Sequence, residues 1–268
     1  MKLSKVTSYT RYLSIIEQYH AREGKNNDYL QRDADCLIRN GKLYEYCEGA
    51  NAYLFVEKTI GWSLYFYIND FEIVPDFQCV KDVVIEILYR GDKFYPFQEI
   101  EFFEKAGFKV NLVRDQFLGV YEDLIKTNLS DTVSVACAND IEEVREACEL
   151  FNHSFDVLSG DYIAEDEYES LLKNHSILVA RGEKYEFLGA LHQSFVGKVA
   201  SISHIAVVQE ARGKHVGQAL LEEFIENNKA GGKGRYMLWV QRQNLAAVKM
   251  YQRKGFKYVS KSTISLIK

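Results

Sequence analysis

Proline is almost missing from this chain: Pro75 and Pro96 are the only two in 268 residues. That scarcity excludes a proline-rich linker. Also missing is any unbroken apolar stretch of the length a membrane-crossing helix needs. Residues 1–20 are cut by charge too often to hold the apolar core of a secretory signal. Cysteine is sparse. Cys36, Cys47, Cys79, Cys137 and Cys148 are odd in number, scattered and free of any Cys-x-x-Cys spacing, which argues against a disulfide framework or a zinc site. Each reads as a small buried hydrophobe, and the expected compartment is a reducing cytoplasm. No basic run offsets the net charge of -5, so neither nucleic acid nor a membrane surface is an expected partner.

What is present is apolar and aromatic. A hydrophobic fraction of 47%, a charged fraction of 26%, 16 Phe and 18 Tyr describe a soluble globular chain with aromatic cores. Its length suits two domains. Helical spacing covers residues 10–23 and 29–40, and Gly41 ends the second. Strand-like runs follow at 52–58, 61–68 and 83–89, then a helix over 96–105 stopped by Gly107, then a strand over 108–117. The polar break at Asn128, Leu129, Ser130 and Asp131 suggests a domain boundary, giving domains 1–129 and 130–268. The second domain opens with a strand at 133–136. Asn139 and Asp140 cap a helix carrying Ile141, Val144, Ala147, Cys148 and Phe151, and a second helix lies near 165–173. Strands are expected at 176–180, 187–194, 199–208, 236–240 and 256–267, with helices from 216 to about 228 and over 244–254.

Two local patterns bear on function. Phe103-Glu104-Lys105-Ala106-Gly107-Phe108-Lys109 reads against Tyr251-Gln252-Arg253-Lys254-Gly255-Phe256-Lys257 as helix end, glycine, aromatic, basic, which suggests an internal duplication. The second pattern is a single change of periodicity. Ile202, Ile205, Val207 and Val208 fit a buried strand, whereas Val216, Ala219, Leu220 and Leu221 recur at helical spacing, with a basic, glycine-containing turn between. Such a turn leaves unpaired N–H groups at the positive end of a helix dipole, a site for an anion such as phosphate. The first half has no counterpart, so a first copy would lack the anion site.

Residues 132–268 resemble the GNAT acyltransferase superfamily, the general-control-related N-acetyltransferases. The family's Gln/Arg-x-x-Gly-x-Gly/Ala signature corresponds to Arg212, Gly213, Lys214, His215, Val216 and Gly217, which departs from it at His215. Its Asn-x-x-Ala-x-x-x-Tyr-x-x-x-Gly-Phe signature is matched by Asn244, Ala247, Tyr251, Gly255 and Phe256. The resemblance implies an α/β (α+β) fold with two GNAT-like domains, each a mixed, mainly antiparallel sheet flanked by helices, the first degenerate. It implies acetyl-CoA as acyl donor and an amine acceptor, by direct transfer through a ternary complex. The pyrophosphate would rest on residues 212–217 with Gln218 beside it. The pantetheine arm would pair with the strand edge at Ile205, Ala206 and Val207, and the Val207 amide would serve the oxyanion. Tyr251 would be the acid that protonates the thiolate.

Alternatives remain open at several positions. Asn244 either meets the ligand with Ala247 or caps its own helix. His204 is the candidate base, with a water relay to Glu165 or Glu167 as its rival. His215 stands where the family has glycine, and Gln209 where it often has proline. The acidic residues 161–169 either attract a cationic acceptor or form a solvated face. A non-catalytic acyl-CoA-binding or regulatory module is the alternative function. The first domain is expected to support the pocket or a homodimer.

Overall fold

The computed structural model describes residues 2–27, 30, 33–78, 80–126 and 132–268. The chain divides into two units, one formed by Met1–Val113, Val157–Gly160 and Ser262–Lys268, the other by Arg114–Asp156 and Asp161–Lys261. The boundary expected at residues 128–131 lies outside the described residues, as do Cys79 and the start of the helix expected from Tyr29. The units are not two contiguous blocks, 1–129 and 130–268. They exchange chain, because two long strands each begin in one unit and end in the other.

Unit 1 contains β1 (Ser4–Lys5), α1 (Tyr9–Tyr19), β2 (Lys25–Asn26), α2 (Ala34–Arg39), β3 (Leu43–Glu48), β4 (Asn51–Glu57), β5 (Trp62–Ile68), β6 (Val83–Tyr89), α3 (Phe97–Lys105) and the first residues of β7 (Lys109–Val120). Its sheet runs β1-β3-β4-β5-β6 and is continued beside β6 by residues 262–267. Alternation along β4 builds both of its cores. Tyr53 and Phe55 join Phe66, Phe102 and Phe103 beneath α3, while Ala52, Leu54 and Val56 meet Tyr12 and Ile15 of α1. Each fully buried side chain of this size contributes roughly 1.5–3 kcal/mol, against under about 1 kcal/mol for an exposed pair such as Arg39–Asp35. Aromatic packing therefore dominates. Strand β3 was not expected from the sequence. Glu45 sits at a buried position of its alternation, and Arg11 of α1 makes that tolerable by gripping both carboxylate oxygens, Nε to Oε1 at 2.9 Å.

Unit 2 takes residues 114–120 of β7, then β8 (Ser134–Cys137), α4 (Ile141–Ser154), α5 (Tyr168–Lys173), β9 (Ile177–Arg181), β10 (Phe187–Val196), β11 (Val199–Val207), α6 (Val216–Ala230), β12 (Arg235–Gln241), α7 (Leu245–Lys254) and the start of β13 (Lys257–Ile267). Sheet order is β7-β12-β11-β10-β9-β8, antiparallel except for the parallel pair β11 and β12. This is the mixed, mainly antiparallel sheet flanked by helices that the sequence suggests. Helices α6 and α7 cover one face, where Leu220, Phe224 and Tyr251 meet Leu191, Ile202 and Leu238. Helix α4 covers the other, where Val144 and Phe151 meet Val179 and Ala206. Asp140 caps α4 through the Glu143 amide at 2.9 Å, and Glu143 reaches back to the Asn139 amide at 3.0 Å. A buried ion pair, Lys254 with Glu222, ties α7 to α6.

The same order of elements appears in both units. Strands β5 and β6 are parallel, as are β11 and β12. Each second strand leads into a helix, a positive-φ glycine (Gly107 at 91°, Gly255 at 105°) and a long strand.

Candidate functional site

The site begins where β11 slips by one residue. Ile202 faces Gln193 and His204 faces His192, so Ser203 is an extra residue that bends the strand. Pairing with β12 ends at the same point, with Ile202 opposite Leu238, although β11 continues to Val207 and β12 to Gln241. Residues 203–207 therefore turn one backbone edge away from the ladder. Ile205 and Val207 point toward the α6 face and Ala206 toward the α4 face. On its other edge β11 stays close to β10, since a β-carbon on Gly189 would lie 2.5 Å from the Ala206 carbonyl.

At the end of this edge the chain turns into α6. Among the described residues no acceptor meets the N–H groups of Gly213, His215, Val216 and Gly217, whereas Lys214 N–H donates to Ala211 and Gln218 N–H to His215. Gly213 has φ 79° and open space where a β-carbon would stand. Arg212 and Lys214 are exposed, and no described carboxylate forms an ion pair with either. The turn thus combines free amides, a helix N-terminus and two cations, the donor set that suits a phosphate group. His215 is the N-cap with φ 63°, a left-handed conformation that favours glycine, and its Nδ1 lies 2.9 Å from Gln218 Oε1. Gly217 faces Met250 of α7 and Val207 of β11.

Helix α7 brings Tyr251 into the α6-side core. The residue is 3% exposed, its ring meets Phe256 edge-on at 5.9 Å, and no described residue hydrogen-bonds its hydroxyl. Burial pushes the phenol above its ordinary value. Asn244 is the N-cap of α7, accepting the Ala247 amide at 3.2 Å, and Ala247 packs against the same core. Gly255 closes the helix, because a β-carbon there would meet the Asp123 carbonyl at 2.7 Å.

His204 lies on the opposite face, 7% exposed, between Phe151 at 5.3 Å and Phe155 at 5.0 Å. The structure thus places His204 and Tyr251 in different side-chain clusters. His204 stacks on His192, a residue the sequence did not single out, with the two Nδ1 atoms 3.2 Å apart. One Nδ1 must donate and the other accept. Burial holds both rings neutral, lowering His192 to about 4 and His204 to about 3, where the charges of His192 and Arg114 add to burial. Glu165 lies 3.7 Å from Arg145, and Glu167 accepts the Ala164 amide at 3.0 Å. Among the described residues no group of His, Cys, Asp and Glu is arranged to hold a metal ion, and no helix is long and apolar enough to cross a membrane.

The sequence pattern of the Acetyltransferase (GNAT) family matches residues 144–256, which contain the β11 edge, the turn and all of α7. An uncharacterized N-acetyltransferase of Methanocaldococcus jannaschii is 37% identical over 73 residues, covering 26% of this chain and 32% of that protein. The match thus spans about a third of the curated relative. Among solved structures, a GCN5-related N-acetyltransferase from Sphaerobacter thermophilus is similar with a TM-score of 0.60 at 13% identity, over 88% of each chain. A GCN5-related N-acetyltransferase from Kribbella flavida is similar with a TM-score of 0.56 at 12% identity, over 86% of this chain and 90% of that one. At these identities the two structures establish likeness of fold.

Proposed function

We propose that the chain, whose residues 144–256 match the Acetyltransferase (GNAT) family, is an N-acetyltransferase of that family, moving an acetyl group from acetyl-CoA to a primary amine within one ternary complex. The observation that carries this reading is the divergence of β11 from β12 after Ile202, which leads directly onto the unsatisfied amides of residues 213 and 215–217. The cradle suits a pyrophosphate and the open strand edge suits the amides of a pantetheine arm, so the residues present fit the donor.

When bound, acetyl-CoA supplies an activated acetyl group with a thiolate as leaving group. Arg212, Lys214 and the amides of Gly213, His215, Val216 and Gly217 hold its phosphates. Residues 205–207 align the arm, and the Val207 N–H is assigned to the developing negative charge on oxygen. Tyr251 holds its proton on Oη, because burial keeps the phenol neutral, and delivers it to the departing sulfur. His204 is the assigned acceptor for the amine proton, with His192 Nδ1 beside it. Asn244 and Ala247 act by fixing the start of the helix that carries Tyr251. The acceptor is a primary amine on a small molecule or peptide. The partners of Glu165 and Glu167 favour a structural face for that acidic segment over an acceptor-attracting one.

One observation favours a non-catalytic acyl-CoA-binding role instead: an imidazole at about 3 is a poor proton acceptor near neutral pH. Two measurements decide. Titration calorimetry with acetyl-CoA is expected to show binding, and thiol release across an amine panel is expected to show turnover. Binding without turnover on any amine selects the non-catalytic reading, and absence of binding removes both.

A further inference from the structure

Unit 1 repeats the strand divergence, and there the gap is filled by the chain itself. Parallel pairing of β5 and β6 covers only Trp62 opposite Val83 and Ser63 opposite Val84, although the strands continue to Ile68 and Tyr89. Asn27, 2% exposed, bridges the two strands beyond that point. Its Oδ1 accepts the Phe66 amide at 2.8 Å, and its Nδ2 donates to the carbonyls of Glu86 at 2.8 Å and Leu64 at 3.3 Å. Residues 25 and 26, strand β2, pair antiparallel with β5 opposite Ile68 and Tyr67. Counted from the last paired positions, Leu64, Phe66 and Glu86 correspond to Ser203, Ile205 and Val240 in unit 2.

The segment after β5 is also closed to a ligand. Asn51, fully buried, accepts the amides of Asn69 and Asp70 on its Oδ1, each at 2.9 Å. Its Nδ2 donates to the carbonyls of Asp70 at 2.7 Å and Ile73 at 3.2 Å. The amides that follow β11 have no such internal acceptor at residues 213 and 215–217 among the described residues. One unit thus satisfies with two asparagine side chains the kinds of backbone group that the other leaves for a ligand.

We propose that residues 25–27 are a built-in occupant of the interstrand cleft of unit 1, with the Asn27 carboxamide standing where an amide of an acyl donor's arm would stand, so that each chain takes one acyl donor, in unit 2. The stoichiometric part rests on the donor reading given above; the filled cleft does not. The pattern has a physical logic: once the anion turn is absent, an open strand edge would leave buried amides unpaired, and Asn27 satisfies both strands at once.

Hydrogen exchange on the full chain tests the occupant without ligand. In Asn27→Ala the Phe66 amide is expected to exchange roughly tenfold faster or more, while residues 205–207 keep their wild-type rates. Asn27→Asp keeps the acceptor and loses the donor, so it guards against a fold-wide failure and should leave Phe66 more protected than Asn27→Ala does. Unchanged Phe66 exchange in Asn27→Ala overturns the proposal. Acetyl-CoA titration, followed by both calorimetry and exchange, is expected to give one site per chain with protection confined to residues 203–207 and 213–217. Two sites per chain, or exposure of residues 25–27 on adding acetyl-CoA, overturns it. Absence of any binding sinks the donor reading alone, and the ligand-free exchange then still decides whether the cleft is occupied.

Discussion

Tyr251 and the histidine pair carry the sharpest consequences at the scale of single residues. The Tyr251 hydroxyl is bonded to no described residue, so its removal leaves no orphaned partner. Tyr251→Phe is therefore expected to keep stability within about 0.5 kcal/mol and acetyl-CoA affinity within about threefold, while kcat falls by roughly 10²-fold or more. Steady-state kinetics beside urea unfolding checks this, and undiminished kcat would remove Tyr251 from the acid role. His192 and His204 lie well below the ordinary 6.5, at about 4 and about 3, with burial the larger cause. The unfolded chain then takes up protons below about pH 6.5 while the folded chain does not. The pair's contribution is complete above pH 6.5 and is lost as pH falls toward 4. Allowing for the partial exposure of His192, wild type should lose about 2–4 kcal/mol more than a His192→Phe, His204→Phe double variant between pH 7 and 4.5. Parallel slopes for the two proteins in urea melts at several pH values would show that the imidazoles are not held neutral.

The turn between β11 and α6 shows what an element's conformation asks of its residues. His215 holds φ 63°, which costs a non-glycine residue about 1–2 kcal/mol, offset in part by the bond from its ring to Gln218. His215→Gly should change stability by less than about 1 kcal/mol and retain acetyl-CoA affinity within about threefold, since the amides form the cradle. His215→Val should lose about 1–2 kcal/mol, because a β-branched residue tolerates this region poorly. Equal melting midpoints for the two variants would mean that residue 215 is not left-handed in solution. The turn was readable in the sequence because period two gives way to period 3.6 across Arg212 and Gly213, and the α7 boundaries because Asn244 and Gly255 are a cap and a stop. Other features depend on pairings that no local pattern encodes. Strand β3 was hidden by Glu45, whose burial requires Arg11 from a distant helix. His192 meets His204 only because of the slip at Ser203, and Asn27 acts through strands far along the chain. Register and long-range polar partners are properties of the folded backbone, which explains why the turn from β11 into α6 was legible and the groups around it were not.

At the scale of the whole molecule, chain exchange decides which fragments can fold. Residues 114–120 give β12 its antiparallel partner, running from Arg235 opposite Val120 to Gln241 opposite Arg114. They also supply Phe117 to the unit 2 core and Asp115, whose carboxylate takes both Arg242 Nε at 3.0 Å and Arg242 Nη2 at 2.7 Å. A fragment cut between residues 129 and 130 loses all of this and leaves β12 as a bare apolar edge, open to aggregation. Residues 262–268 work the other way. Ile264 and Leu266 are fully buried in the unit 1 core, and Lys268 exchanges backbone hydrogen bonds with Val83. Losing two such side chains costs roughly 3–6 kcal/mol before the ladder is counted, comparable with the 5–15 kcal/mol that stabilises a whole domain. Fragment 114–261 is therefore expected to fold and bind acetyl-CoA, fragment 130–268 to be insoluble or molten, and the chain truncated after Lys261 to lose unit 1 as judged by proteolysis. Circular dichroism melts and calorimetry on the three proteins provide the check. A cooperative melt from fragment 130–268, with acetyl-CoA affinity equal to that of 114–261, would show that β7 is dispensable to the unit that carries the site.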